Sequence, residues 1–271
     1  MKLPSPAELT ERLDPLLDVL ADHFGPQRWW TDTDPFEVIA GALLVQNTAW
    51  AGAAKATENL RAAGALSVDG VLGLDELRCQ ELVRPSGSFR QKTAKLKAFA
   101  EHVREAHEGD LGRMLRAPME PLRRELLGIW GVGPETADAI LLYAARKPSF
   151  VVDTYTQRAL ERLGVIPGGA PRAALRALLL EALPQDPWQL AEAHGLFVRL
   201  GKSHCGSTPE CATCPLLLGC RYGSGGSLRE AASHSRGRST HVGHRGCQVS
   251  LHLSFRTNVR NLRTLCLLSA P

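Results

Sequence analysis

The chain has 271 residues, 44% of them hydrophobic, with a formal net charge of +4 and seven cysteines. That is enough for one large or two smaller packed lobes, and no apolar run approaches the roughly 20 residues of a membrane-crossing helix. The N-terminal MKLPSPAELTERLDPLL has early acids and no signal-like apolar core, so a cytoplasmic protein with no membrane partner is expected. The charge is uneven: residues 223–271 carry seven arginines against one acid, Glu230, which leaves residues 1–222 near −2. Any contact of the body with a polyanion must therefore be local.

Leu9, Leu13, Leu16, Leu17 and Leu20 step at i, i+3 and i+4 and predict an opening helix. The pair Trp29-Trp30 follows. It offers flat π surfaces suited to a cationic ring, or else fills a core at a lobe junction. Asp34-Pro35 supplies an N-cap and a first-turn proline for a helix carrying Phe36, Ile39, Ala40, Leu43 and Leu44. In Val45-Gln46-Asn47-Thr48, Gln46 reads on residue chemistry alone as a polar cap at that helix's end. Ala94, Leu96, Ala98, Phe99 and Val103 predict a further helix.

The segment from Leu126 to Leu141 holds Gly131-Val132-Gly133-Pro134-Glu135-Thr136 between two apolar stretches. Gly131 and Gly133 permit a tight turn with outward-pointing amides. Pro134 fits the first position of the next helix, whose buried face is Ala137, Ile140, Leu141 and Ala144. Glu135 in the first turn suits the helix dipole. Free amides at a helix N-terminus make a phosphate cradle. Next, Phe150-Val151-Val152-Asp153-Thr154 puts an acid at a helix start, where it reads as an N-cap, and a carboxylate there can also face a cleft and do chemistry. Ala173–Leu183 and Leu190–Leu200 repeat the helical period. Strand alternation is scarce, so the fold expected is all-α, about ten helices joined by short Gly/Pro turns.

Cys205, Cys211, Cys214 and Cys220 read C-x5-C-x2-C-x5-C within 16 residues. Zinc sites usually pair two close knuckles, whereas one C-x2-C flanked by wider cysteines suits a [4Fe–4S] group. A zinc ion and a disulfide pair remain the alternatives. The Gly/Ser/Arg/His-rich stretch after Cys220 has no period and is expected to be disordered, either an inert tail or a basic arm with nonspecific DNA affinity.

The hairpin, the V-V-D-T segment about 20 residues on and the four-cysteine loop, in this order and over roughly residues 25–222, resemble the endonuclease III branch of the helix-hairpin-helix DNA glycosylases. The resemblance implies two helical lobes with a DNA-binding cleft between them. The first would be a six-helix lobe over 26–146 with its helix-hairpin-helix at about 122–145. The second would join 1–25 to 147–222 and carry the loop 205–220. It further implies a monomer acting on double-stranded DNA with a damaged base, nucleoid-associated if prokaryotic. The enzyme flips the base out and cuts its N-glycosidic bond. Asp153 falls on the family's catalytic aspartate, and Cys205, Cys211, Cys214 and Cys220 on the ligands of its [4Fe–4S] cluster. Gln46 falls on the glutamine that fills the hole left by the base, and Gly131, Val132, Gly133 and Thr136 lie on the DNA-binding hairpin. A second wedge would fall on Ser88, a departure that leaves Phe89 to take over. Bifunctional relatives place a Schiff-base lysine where this chain has Glu135, so a monofunctional glycosylase is expected, with a lyase using another lysine or a noncatalytic DNA-binding homologue as alternatives. Lys202, just before the cluster, is either a base-pocket residue with Glu135 or a phosphate contact. Trp29-Trp30 with the non-lysine hairpin is similar to the 3-methyladenine glycosylase sub-branch, where those rings would receive an alkylated base.

Overall fold

The computed structural model describes residues 2–225. The expectation of a disordered tail falls on residues outside these, apart from 223–225. Among the described residues all regular structure is helical, in twelve α-helices. These are α1 (Pro6–Phe24), α2 (Pro35–Leu44), α3 (Trp50–Ala62), α4 (Val68–Gly73), α5 (Glu76–Val83), α6 (Phe89–His107), α7 (Leu111–Arg116), α8 (Met119–Gly128), α9 (Pro134–Ala139), α10 (Thr154–Leu163), α11 (Arg172–Ala182) and α12 (Pro187–Ser203). No helix among them is long and apolar enough to cross a membrane.

The described residues divide into two compact units, 2–28 with 152–225, and Trp29–Val151. The second contains eight α-helices where six were expected, and the total is twelve rather than about ten. The extra elements are short. α4, α5 and α7 each begin at a side-chain cap, Ser67, Asp75 and Asp110, which accepts a backbone N–H three residues on. Such caps start a helix too short to show a period.

In the first unit, α1 opens with a capping box: Ser5 accepts from the Glu8 amide while Glu8 accepts from the Ser5 amide. Its stripe Leu9, Leu13, Leu17 and Leu20 is fully buried against α11 and α12. α12 is buried on nearly every face from Gln189 to Val198, so it is the unit's central helix. It approaches α10 closely. A Cβ on Gly201 would stand 2.4 Å from the Tyr155 ring, so only glycine allows that spacing.

In the second unit, α2 is the central helix, with Phe36 and Val38 through Leu44 buried. Its start follows expectation: Asp34 accepts from the Phe36 amide at 2.8 Å and Pro35 takes the first turn. α6 departs from the expected stripe. Ala94 is exposed and Ala98 half-buried, while Lys92 and Thr93 join Leu96, Phe99 and Val103 inside. Lys92 is only 3% exposed, and its ammonium donates to the Leu44 carbonyl at 2.7 Å and to that of Ser86. Burial lowers its pKa, but two carbonyl acceptors, one at the end of α2 and one in the turn before α6, favour the cation. α9 runs on into a π-helical segment, Ile140–Ala144, whose five side chains are all buried; such wide turns are rare and expensive.

Candidate active site, hairpin and cysteine loop

Asp153 is both cap and buried acid. Its Oδ1 accepts the Thr156 amide at 2.7 Å at the start of α10. Its Oδ2 lies 3.8 Å from Nε2 of His194, an ion-pair distance rather than a hydrogen bond. The residue is 7% exposed. Burial pushes its pKa up, but His194 and the Thr156 amide outweigh this and hold it below the ordinary carboxylate range. The outcome is a desolvated acid that stays ionised. His194 was not singled out in the sequence, where it sits inside an apolar helical period and looks like one more core position.

The cysteine loop is fastened to the same two helices. α12 leads into Cys205, and α10 contributes Arg158 and Arg162. Arg158 Nε donates to the Cys205 carbonyl at 2.8 Å. Arg162 donates to the Gly206 carbonyl at 2.6 Å and the Ser207 carbonyl at 3.2 Å, and its NH1 lies 3.6 Å from Cys205 Sγ. The Arg162 guanidinium also covers the Tyr222 ring at 4.9 Å. The segment Gly206–Glu210 has no base of its own, and α10 supplies the positive charge instead. None of the four cysteines is in a disulfide, which corrects that alternative. Among the described residues, no three of their sulfurs come within 4.8 Å of one another. The Gly223 amide donates to Cys220 Sγ at 3.4 Å. Burial, then the neighbouring sulfurs Cys220, Cys205 and Cys211, raise the Cys214 pKa.

The hairpin lies in the other unit. α8 ends at Gly128, and the turn brings the Val132 amide to the Ile129 carbonyl at 3.1 Å. Gly131 has φ +88°, and a Cβ there would stand 2.3 Å from Lys95 Cγ. Gly133 differs. Its backbone is extended and nothing lies near a Cβ, so the expectation that both glycines serve the tight turn holds only for Gly131. Val132 is buried and Gly133 and Glu135 are exposed. The helices on either side are clamped by Arg123 of α8, which forks onto Asp138 of α9 at 2.9 and 3.2 Å, with Ser149 Oγ donating to the same carboxylate at 3.0 Å. This buried acid was also missed, since a lone Asp in a helix reads as solvent-facing.

Gln46 does not cap α2. Its Nε2 donates to the Gly131 carbonyl at 3.0 Å and to Thr136 Oγ1 at 2.9 Å, and its Oε1 accepts from Lys95. Two contacts therefore tie the candidate wedge to the hairpin, and a third ties it to α6. Phe89 begins α6, half-buried, with the Arg84 and Arg90 guanidinium carbons 5.5 and 5.7 Å from its ring centre. Before it, Ser88 is exposed and takes φ +41°. Trp30 meets the rings of Tyr143 and Trp50 edge-on at 4.8 and 5.7 Å, and Trp29 and Trp30 are both half-buried. Neither Tyr143 nor Trp50 stands out in the sequence. Lys202 is exposed in the last turn of α12.

An all-helical fold built around such a hairpin is that of a class of base-excision DNA repair proteins. Residues 40–185 match the HhH-GPD superfamily of base excision DNA repair proteins, and the chain belongs to that family. It is 37% identical over 212 residues to a Methanocaldococcus jannaschii protein named as a DNA repair glycosylase, covering 78% of this chain and 96% of that one. Its fold is that of endonuclease III in a non-covalent DNA complex, with TM-score 0.68, 23% identity and coverage of 80% and 97%. It is also similar to the H. pylori 3-methyladenine DNA glycosylase bound to 1,N6-ethenoadenine, with TM-score 0.61, 26% identity and coverage of 73% and 98%.

Proposed function

We propose that this family member is a monofunctional DNA glycosylase, with Asp153 the acid that carries the chemistry and Glu135 the reason it forms no Schiff base. The observation that carries the reading is the environment of Asp153: dry, ionised and oriented by a backbone amide. Cleavage of the bond from C1′ to the base nitrogen sends the electron pair to the base and leaves oxocarbenium charge on the sugar. A desolvated carboxylate stabilises that charge strongly. Water then adds to C1′, its proton passes to Asp153 or solvent, and the products are a free base and an abasic site.

The hairpin amides, with Thr136, would hold a phosphate of damaged double-stranded DNA bound by a monomer, and Gln46 would enter the gap after leaving Gly131 and Thr136. Phe89, flanked by Arg84 and Arg90, suits the second wedge that Ser88 cannot form. Trp30 with Trp50 and Tyr143 makes an aromatic cluster suited to a cationic alkylated base, and the 3-methyladenine glycosylase neighbour supports that lesion class. Lys202 remains a phosphate or pocket contact. Cys205, Cys211, Cys214 and Cys220 would hold a [4Fe–4S] group, whose chemistry here is thiolate ligation that ties α10 to α12.

Incubation with oligonucleotides carrying alkylated, oxidised, deaminated and mismatched bases should release a base from at least one. Borohydride should trap no protein–DNA adduct on an abasic site. An adduct lost on substitution of one lysine would make the protein a glycosylase/lyase instead.

A further inference from the structure

The second unit holds a side-chain cluster unconnected with Asp153, the hairpin amides or the cysteine loop. His102 Nε2 and His107 Nε2, both on α6, converge on one oxygen of Glu125 from α8, at 2.7 and 2.5 Å. The three ligand atoms all lie within 4.8 Å of one another. We propose that His102, His107 and Glu125 form a binding site for a divalent transition ion of the zinc type, joining the end of α6 to the first helix of the hairpin.

Four observations support this. The donor set is two imidazoles and a carboxylate, which suits zinc and its neighbours and not magnesium, whose sites are built of oxygen. The separations are close to what is needed. Ligands about 2.0–2.1 Å from a tetrahedral ion stand about 3.3 Å apart, so each nitrogen has to draw back from Oε1 by well under 1 Å. Each ring then carries its proton on Nδ1 and presents a lone pair at Nε2. The three side chains keep 16–30% of their surface, so an ion can enter and keep a water in its fourth position. Finally, His107 is the last residue of the 19-residue α6, where the partial negative charge of the helix end favours a cation.

Such an ion would act on the hairpin through α8, whose Arg123 grips Asp138 of α9 two residues before Glu125 in sequence. Its role would be to fix the base of that hairpin and not to take part in base excision.

The test is zinc uptake by the full-length, iron-loaded protein, measured by equilibrium dialysis with elemental analysis. Wild type should bind one Zn2+ per chain beyond its iron. His107→Gln and Glu125→Gln should each weaken binding tenfold or more, and H102Q/H107Q should abolish it. Independently of any variant, Zn2+ but not Mg2+ should protect His102 and His107 of the wild-type chain from diethyl pyrocarbonate, read by peptide mass. No zinc uptake, uptake unchanged in the double variant, or equal protection by Mg2+ would each overturn the proposal.

Discussion

Asp153 has two roles that a substitution can separate. As a cap it accepts the Thr156 amide, and asparagine caps a helix about as well as aspartate. As an acid it depends on His194, 3.8 Å away. The depressed folded-state pKa means that its contribution to stability is complete above the unfolded value near 3.9 and is lost as pH falls through the lower folded value. Removing the imidazole leaves burial less opposed. His194→Gln should therefore raise the Asp153 pKa and move the acid limb of the single-turnover excision rate upward, while superimposable pH profiles would show that His194 has no such influence. Asp153 was legible in the sequence because three apolar residues and a threonine frame it. His194 was not, because a buried polar partner inside an apolar period looks like core until the facing helix is placed.

At the scale of the element, the hairpin rests on one obligate glycine and one buried ion pair. Gly131→Ala meets both a positive φ and the Lys95 stem. It should cost about 1–3 kcal/mol and lower the melting temperature by several degrees. Gly133→Ala, at an extended φ with open space, should stay within about 1 kcal/mol. Equal thermal shifts for the two variants would contradict this account of the turn. The G-V-G-P motif showed where the chain turns, since proline and glycine act locally. It could not show that Gln46, 85 residues before Gly131, closes onto the turn, nor that Arg123 and Asp138 lock its two helices. Those contacts depend on how α2, α6 and α8 pack, and packing has no local sequence code. The short helices α4, α5 and α7 escaped for the opposite reason: their caps are legible, but they have too few turns for a period.

Across the whole molecule, the cysteine loop and the aspartate share a support. α10 starts at Asp153 and grips the loop with Arg158 and Arg162, while α12 carries His194 and runs into Cys205. Iron depletion should therefore speed hydrogen exchange in α10 and α12 and reduce excision, with little change in exchange along α2. Unchanged exchange in α10 would mean the loop is not the staple. The all-helical class was legible from periodicity. What remained hidden was the source of the loop's positive charge, because Arg158 and Arg162 lie more than 40 residues before the carbonyls they bind.

The central proposal is that the Asp153 carboxylate carries base excision, a role that asparagine, which keeps the cap, cannot fill. The most direct measurement is single-turnover base release from the preferred lesion, comparing wild type with Asp153→Asn and checking DNA affinity and melting in parallel. The account predicts a rate lower by about 10²–10⁴-fold with affinity and melting temperature close to wild type. Excision at the wild-type rate in Asp153→Asn, with the protein folded and bound to DNA, would contradict it.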